Sequence, residues 1–427
     1  MIGTILGAFR VADIRKKILF TAAILALYRL GTHIPAPGIN EQGVKAIQTN
    51  FGGNSILGLL NLFSGGGLSR IAIFALGIMP YITASIILQL LQVVVPSLEK
   101  LSKEGEVGQA RITQYTRYLT VGLAFAQSIG YVFLFKSFEK SAGTNAISNF
   151  TLLKVFLIVI SLTAGTVLLM WMGELITQRG IGNGISLMIF ANIVSRIPSG
   201  VSAWWSNPDQ VFRVIMPFIV LGVVAAVVFV QEGQRRIPVQ YAKRVIGRRM
   251  TQGGQTYLPL RVNMAGVIPV IFAASVMAIP PTVGSLIGHN KPNTFGTQIY
   301  NFFAPGSWHY VLGECLMIIL FTYFYTAVTF NPVDQADNLK KYGGFIPGVR
   351  PGRPTAEFLD RILARLTFPG ALFLAAIAAL PTILISQTSA NFAFGGTSIL
   401  IVIGVALDTM KQLEAQLMMR NYEGFLK

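Results

Sequence analysis

Side chains that could carry out acid–base, nucleophilic or metal chemistry are few and widely separated in this sequence. The chain has one cysteine, Cys315, and three distant histidines, none with the spacing of a metal or nucleophile motif. Glu174, Glu314 and Asp408 fall near the ends of apolar segments, whereas catalysis or ion coupling in a membrane needs ionisable groups at depth. We therefore expect no enzymatic activity, no bound metal and no cofactor.

The composition indicates a polytopic membrane protein. Of 427 residues, 53% are hydrophobic and 12% are charged, about half the roughly 25% that is usual in soluble domains. So few charges could not cover a soluble surface of this size, which argues against both a soluble enzyme and a disordered scaffold. The net charge is +17, and its meaning depends on where the charges lie.

Charge-poor segments long enough to cross a bilayer, about 20 residues each, predict ten spans. The last segment holds two spans with a turn near 387–391. The segments are 18–35, 70–99, 117–136, 154–174, 179–196, 213–232, 261–291, 314–334 and 365–408.

The distribution of positive charge predicts the orientation. With ten spans both termini lie on one side, and 25 of the 34 lysines and arginines fall on that side. We expect the chain to lie in the cytoplasmic membrane. The positive-inside rule then predicts that both termini face the cytoplasm.

An internal repeat divides the chain into two halves, residues 1–200 (spans 1–5) and 201–427 (spans 6–10). GIMPYITA at 77–84 aligns with GVIPVIFA at 266–273, and GISLMI at 184–189 aligns with GTSILI at 396–401. Because each half has five spans, an odd number, the halves would have inverted orientations. Chance similarity between short apolar strings is the alternative.

Inverted repeats place function at the interface between their halves. Pro80 and Pro269 are expected to interrupt hydrogen bonding inside their helices, either at a functional site or as simple kinks. The repeated strings predict that five isoleucines face a common axis: Ile78, Ile82, Ile189, Ile271 and Ile401.

A short apolar segment precedes span 2. Residues 55–63 are too few to cross a hydrocarbon core of about 30 Å, and Gly65, Gly66 and Gly67 follow as a hinge. The pattern fits a movable stopper, and it equally fits an interfacial helix on the outer surface.

Two long basic segments, 232–262 and 332–366, separate later spans and are predicted to be cytoplasmic loops. Topology alone requires some positive charge there, but several charges lie in mid-segment, away from the span ends. We interpret these segments as a docking surface for a polyanion or an acidic partner.

Five motifs, in order along nearly the whole chain, resemble the SecY family, whose members are channel subunits of the bacterial Sec protein translocase. They are NLFSGGGLSR at 61–70, ALGIMPYI at 75–82, GIGNGIS at 180–186, NMAGVIP at 263–269 and PGVRPG at 347–352.

The resemblance implies an all-α fold of two five-helix halves around an hourglass pore. The isoleucines named above would form its constriction, with Ile185 competing with Ile189 in span 5, and a re-entrant plug helix at about 56–68 would close it. The plug would include Leu59, Leu60, Asn61, Leu62, Phe63, Ser64, Gly65, Gly66 and Gly67.

The resemblance further implies a lateral gate where spans 2 and 3 meet spans 7 and 8. Its polar members would be Ser85, Gln89, Gln127 and Ser275, which could bridge helices only weakly. Arg248, Arg249 and Arg350 would bind the ribosome or the SecA motor. Other implied partners are the SecE and SecG subunits, preproteins with their signal sequences, and membrane lipid.

The function predicted is therefore translocation of unfolded secretory polypeptides, with lateral release of apolar segments into the bilayer. A secondary transporter of a small solute is the main alternative, since it too can use an inverted repeat. A membrane scaffold without a pore is a third.

Overall fold

The computed structural model describes residues 9, 11–40, 64–68, 70–142, 150–206, 210–241, 245–246, 249–250, 254–288, 294–304, 307–388 and 396–425. Helices dominate this part of the chain. They are α1 (Ala12–Gly31), α2 (Met79–Val94), α3 (Pro96–Lys103), α4 (Glu106–Ala142), α5 (Leu152–Arg179), α6 (Gly184–Val194), α7 (Ile197–Trp205), α8 (Gln210–Glu232), α9 (Ile268–Met277), α10 (Ile279–Gly288), α11 (Phe295–Phe302), α12 (Trp308–Thr329), α13 (Pro332–Lys341), α14 (Arg353–Thr388) and α15 (Gly396–Phe425).

Each predicted span contains at least one of these helices, so the prediction of a polytopic α-helical membrane protein is confirmed. Within the described residues, six helices are long and apolar enough to cross a bilayer, or seven if the pair α2 and α3, bent by 100°, is one span. The others fall short for physical reasons: α1 and α15 carry charged residues, and span 7 is divided between α9 and α10.

Proline position explains how spans 2 and 7 are built, and it corrects one prediction. Pro80 and Pro269 are each the second residue of a helix, α2 and α9, where the missing N–H would have no partner within the helix. They therefore interrupt no helical hydrogen bond, and the predicted interruption was wrong. Span 7 breaks instead at Ala278, just before the Pro280-Pro281 pair in the first turn of α10.

The aligned strings of the repeat share local structure. Gly77 and Gly266, three residues before the two prolines, both adopt left-handed backbone conformations, with φ of 59° and 63°. In the second pair of strings, Gly184 and Gly396 each begin a helix. These shared conformations support the repeat over the alternative of chance similarity.

The helix α6 begins at the glycine-rich segment 180–184. The Asn183 side chain caps the helix by accepting hydrogen bonds from the backbone N–H groups of Ile185 (3.1 Å) and Ser186 (3.4 Å). A Cβ on Gly184 would lie 2.0 Å from the carbonyl oxygen of Gly173 in α5. The glycine therefore permits close packing of α5 against α6.

The first basic segment contains a β-hairpin that the sequence analysis treated as loop. Strand β1 (Gln234–Tyr241) pairs antiparallel with β4 (Gln255–Arg261), and β1 also pairs with β5 (Gly344–Phe345) from the second basic segment. A smaller pair, β2 (Val245–Ile246) with β3 (Arg249–Met250), lies between β1 and β4 in sequence. One sheet thus joins the two basic segments.

The two largest buried hydrophobic clusters organise the described part of the chain. The larger one combines residues of α1, α2, α4, α5, α6, α8, α9, α12, α14 and α15. The smaller one lies under the sheet, where Ile237, Val239 and Leu260 pack with Phe330 and residues of α14 such as Leu359. The sheet therefore has a core of its own, separate from that of the spans.

Candidate pore, plug hinge and lateral gate

The five isoleucines predicted to form the constriction are all buried in the larger hydrophobic cluster. Each is at most 5% exposed: Ile78, Ile82, Ile189, Ile271 and Ile401. Ile185 is only partly buried and packs at the edge of the same cluster, so burial favours Ile189 as the innermost isoleucine of span 5.

Helix starts place these isoleucines in equivalent positions. Ile82 and Ile271 are the fourth residues of α2 and α9, two residues after the proline in each case. Ile189 and Ile401 are the sixth residues of α6 and α15. The helix α9 packs against both α2 and α15, and α15 packs against α6. These four helices are thus linked by packing, and each contributes an aliphatic side chain to the common cluster.

A cavity of about 250 Å³ opens between α2 and α4 on one side and α9 and α10 on the other. Its surface is mostly apolar. Two of the predicted gate residues, Gln127 and Ser275, line it, together with Met79, Thr83, Ala126, Gly130, Tyr131, Ala278, Ile279 and Val283. Ser85 and Gln89 are not among the lining residues, and α12, the helix of span 8, contributes none of them.

Few hydrogen bonds cross this cavity. The Ser275 hydroxyl donates to the Ile271 carbonyl oxygen of its own helix (2.7 Å) and makes only a long contact of 3.8 Å with the Met79 sulfur of α2. Thr83 likewise donates to its own helix, to the carbonyl oxygen of Met79 (3.0 Å). Such bonds satisfy the hydroxyl groups within one helix and leave the opposing walls free to separate.

The predicted plug is only partly covered by the described residues. Leu59, Leu60, Asn61, Leu62 and Phe63 lie outside them. Ser64 is buried, and its hydroxyl accepts a hydrogen bond from the backbone N–H of Leu68 (3.1 Å). Gly65 and Gly66 have left-handed φ values of 64° and 90°, whereas Gly67 does not. The hinge conformation is therefore concentrated in two of the three glycines.

A bidentate ion pair joins α4 to α5, and the sequence analysis missed it. The Arg117 guanidinium donates to both carboxylate oxygens of Glu174, at 2.9 Å through Nε and 2.6 Å through Nη2. The Glu174 side chain is 13% exposed. The two residues are 57 positions apart, so only the helix packing reveals that they meet.

Two of the three residues predicted to bind a motor or ribosome lie in or near described strands. Arg249 begins β3, which pairs with β2 through Ile246. Arg350 is exposed in the turn after β5, and its carbonyl oxygen accepts a hydrogen bond from Thr355. Arg248 lies outside the described residues. Alternating apolar residues at 237, 239, 258 and 260 were the available signal for this sheet.

Outside the apolar spans, one surface pair shifts a pKa. Lys103 Nζ donates to Glu99 Oε1 at 2.7 Å within α3, and this hydrogen bond lowers the pKa of Glu99. As for metals, the described part of the chain holds no group of three or more His, Cys, Asp or Glu side chains that could bind one.

Comparison with known proteins decides the family. The SecY family profile matches residues 72–410. A protein translocase subunit SecY from Streptomyces galbus is 51% identical over 436 residues, which cover 98% of each chain.

This chain belongs to the SecY family. Solved structures with the same fold include a SecY channel, described as having a plug domain that stabilises the closed state and maintains a membrane seal. It superimposes with a TM-score of 0.63 at 21% identity, over 93% of this chain and 91% of the other. Canine Sec61, in a ribosome–channel complex, gives a TM-score of 0.57 at 19% identity over the same shares. None of these relatives supports the alternative of a small-solute transporter.

Proposed function

We propose that this SecY-family chain forms a channel for unfolded polypeptides and releases apolar segments sideways into the bilayer. The observation that carries the proposal is the set of five buried isoleucines in one cluster: four lie in the first two turns of α2, α6, α9 and α15, and Ile78 directly precedes α2. The SecY relatives are named as protein translocase subunits. We extend this role to the present chain because its buried isoleucines could form the constriction of such a channel.

The chemistry of the ring suits an unfolded polypeptide. Such a chain presents every type of side chain, so a pore with a specific binding site would hold it and stall it. Branched aliphatic groups make no hydrogen bonds and no ion pairs with the passing chain. An empty aliphatic constriction also excludes ions because water leaves it. The same residues would therefore both pass a polypeptide and seal the channel at rest.

We infer that apolar segments leave the channel through the cavity that has α2 and α4 on one side and α9 and α10 on the other. Its apolar lining would match an apolar helix of a signal sequence, and its hydroxyl groups are bonded within their own helices. Opening would then break few hydrogen bonds. Gln127 and Ser275 would mark the two sides of this gate.

The remaining assignments belong to the same proposal. Both termini would face the cytoplasm in a cytoplasmic membrane, with ten spans in two inverted halves, 1–200 and 201–427. The surface around the exposed Arg350, together with Arg248 and Arg249, would bind the SecA motor or the ribosome. SecE and SecG would be companion subunits. Energy would come from the motor or from protein synthesis, and this chain would carry out no catalysis itself.

Site-specific photocrosslinking tests the channel directly. A photoreactive amino acid replaces Ile82, and a secretory precursor is stalled during translocation with the motor present. We expect a crosslink to the stalled chain that disappears when the signal sequence is deleted. The control places the same amino acid at Phe229, which is 79% exposed on α8. Crosslinks to lipid from Phe229 with none to the precursor from Ile82 would refute the pore assignment.

A further inference from the structure

The hairpin formed by β1 and β4 stands on a narrow base. We call its two ends, residues 231–233 and 261–263, the hairpin foot. The Val262 N–H donates to the Gly233 carbonyl oxygen at 2.9 Å and so closes the hairpin foot. The Gly233 N–H in turn donates to the Phe229 carbonyl oxygen of α8 at 3.0 Å. The hairpin is therefore continuous with the last turn of α8.

The helix α15 approaches the hairpin foot closely at a glycine. A Cβ on Gly404 would collide with Val267, just before α9, and would lie 3.1 Å from Gln231 Nε2 in the hairpin foot. One turn further along α15, Asp408 Oδ2 lies 3.9 Å from the place that a Cβ on Gly266 would take. The glycine at 404 thus permits close packing of α15 against the hairpin foot, and the contact extends over at least one helical turn.

Four charges of both signs meet at this contact. Lys411 Nζ of α15 lies 2.8 Å from Glu232 Oε1 of the hairpin foot, and the two side chains are 32% and 45% exposed. Asp408 is near enough to be attracted by Arg261, the last residue of β4, and by Lys411. Its repulsion from Glu232 is the weakest of these interactions. Each acid thus faces a base from the other element, and the charges favour contact between α15 and the hairpin foot.

These contacts lie on the face of α15 that carries its constriction isoleucine. The spacing of three, four and three residues that is typical of one helical face relates Ile401, Gly404, Asp408 and Lys411. The helix is continuous over Gly396–Phe425 and contains no proline. At about 1.5 Å per residue, Lys411 is about 15 Å along the axis from Ile401. A shift of α15 at its charged end would therefore reach Ile401.

Another face of α15 is held independently of the hairpin foot. Leu413, with Leu417 beside it, packs against Ile14 of α1 and against Ile181 of the glycine-rich segment 180–184. Leu413, Ile14 and Ile181 are all buried. Loss of the ion pair would thus leave α15 attached to the rest of the chain, and would release it only from the hairpin foot.

We propose that Lys411 and Glu232 are positioning residues whose ion pair seats the hairpin foot on α15, so that a partner bound to the hairpin influences the position of Ile401. This inference rests on the proposed channel function and on the docking surface assigned to the basic segments. The pair acts through α15 and makes no contact with the polypeptide in transit.

A charge-reversal cycle with spin labels tests whether the pair seats the hairpin. The labels are attached to cysteines at Tyr257 of β4 and Met418 of α15, which are both exposed, after Cys315→Ser. We expect Glu232→Lys and Lys411→Glu each to broaden the distribution of distances between the labels. The double reversal should restore the wild-type distribution, because the two charges attract again. A distribution that neither single reversal changes would overturn the proposal.

Transport measures whether this seat influences the constriction. In proteoliposomes of the complete translocase, each single reversal should lower the maximal rate of motor-driven precursor transport about fivefold, the factor expected for one partly exposed ion pair. The double reversal should return the rate to within about twofold of the wild type. The motor concentration for half-maximal transport should not change, because the docking arginines are intact. A broadened distance distribution with an undiminished maximal rate would overturn the link to Ile401.

Lys103→Glu is the matched control. Its pair with Glu99 has the same residue types at 2.7 Å, but both residues lie within α3, so the pair joins no two elements. The transport rate of this variant should stay within about twofold of the wild type. A fivefold loss here would mean that any reversed charge in these segments slows transport, and would contradict the proposal.

Milder variants test the pair if a reversal does not fold. Lys411→Arg keeps the positive charge, whereas Lys411→Gln removes it, and we expect only the second to slow transport and broaden the distance distribution. Equal transport by these two variants would contradict the proposal. Failure of the wild-type complex to transport a precursor would instead count against the channel function, and the label distances would still decide whether the pair seats the hairpin.

Discussion

Ile82 and Ile271 occupy the same place in their helices and are almost fully buried, yet their predicted role is to exclude ions. Both lie in the larger hydrophobic cluster with Ile78. A buried isoleucine usually contributes stability through packing. A constriction residue also limits ion permeability. The two roles can be separated by comparing the ion leak caused by replacing isoleucines that are equally buried inside and outside the constriction.

Replacement of Ile78, Ile82 and Ile271 by glycine should raise ion leak through the reconstituted channel, because the constriction loses its branched side chains and admits water. Conductance of proteoliposomes or planar bilayers measures the leak. The control is Ile158→Gly in α5, since Ile158 is 1% exposed but belongs to no predicted constriction. Comparable leak from the control variant would mean that general loosening, not the constriction, sets permeability.

The pair of Arg117 and Glu174 supports a different prediction. Glu174→Gln removes the charge that both guanidinium bonds use, and we expect a loss of roughly 1–3 kcal/mol in the free energy of unfolding. Unfolding by heat or denaturant in detergent measures it. The control is Glu357→Gln, whose pair with Arg353 is exposed and should change stability by less than about 0.5 kcal/mol. Equal losses would contradict a special role for the α4–α5 pair.

The sequence allowed prediction of the isoleucines but not of this ion pair. The isoleucine positions were predicted from two pairs of similar strings in the sequence, which can be aligned without a structure. The contact of Arg117 with Glu174 depends on how α4 and α5 pack and on their relative rotation, neither of which local patterns determine.

At the scale of elements, the prolines show why helix limits are hard to derive from apolar sequence. Residues 71–78 are apolar like the helix that follows, so composition does not show where α2 begins. The left-handed Gly77 ends the irregular segment, and Pro80 then fits the first turn. The strands in 232–262 were not predicted for a related reason: their short apolar alternation lies among basic residues, and the composition of the segment is that of a loop.

Pro80→Ala should therefore change the free energy of unfolding by less than about 1 kcal/mol, because a proline in the first turn breaks no helical hydrogen bond. Ala84→Pro is the contrasting variant. Ala84 is buried in the interior of the same helix, and proline there should cost about 3 kcal/mol or more. Thermal unfolding in detergent distinguishes them. A large gain in stability from Pro80→Ala would contradict this, because it would mean that the helix begins before Met79 and that Pro80 interrupts it.

The sheet supports a prediction of its own. Leu260 is fully buried in the smaller cluster, and Leu260→Ala should destabilise the sheet by about 2–5 kcal/mol. Because Leu260→Ala leaves the charge of the sheet unchanged, weaker binding of the motor or ribosome to this variant would show that the shape of the docking surface matters. Hydrogen exchange of β1 and β4 measures the sheet. Tyr257→Ala, at a 58% exposed position of the same strand, is the control and should have little effect.

At the scale of the whole molecule, a single hydrophobic cluster includes residues from both halves of the chain. The contact between the halves is interrupted by the cavity, which has α2 and α4 on one side and α9 and α10 on the other. This combination suits two bodies that stay joined on one side and separate on the other. The division at about residue 200 and the inverted relation of the halves remain predictions, supported by the left-handed glycines Gly77 and Gly266, each two residues before a helix.

Crosslinking across the cavity should block translocation. Cysteines replace Gln127 and Ser275, after Cys315→Ser, and a short bifunctional maleimide joins them. Because these residues line opposite walls, we expect the crosslinked channel to stop passing precursor in a vesicle import assay. The control joins Gln127 to Thr83, which line the cavity from the same half, and should leave transport intact. Unimpaired transport through the first crosslinked channel would refute a gate at this cavity.

The sheet formed by β1, β4 and β5 has a mechanical consequence. It joins the segment between α8 and α9 to the segment between α13 and α14, so a load applied to either segment acts on both. β4 ends only a few residues before α9, the helix that carries Ile271 and Ser275. A load on the sheet would therefore reach α9, and with it one wall of the cavity, through the short connection after β4.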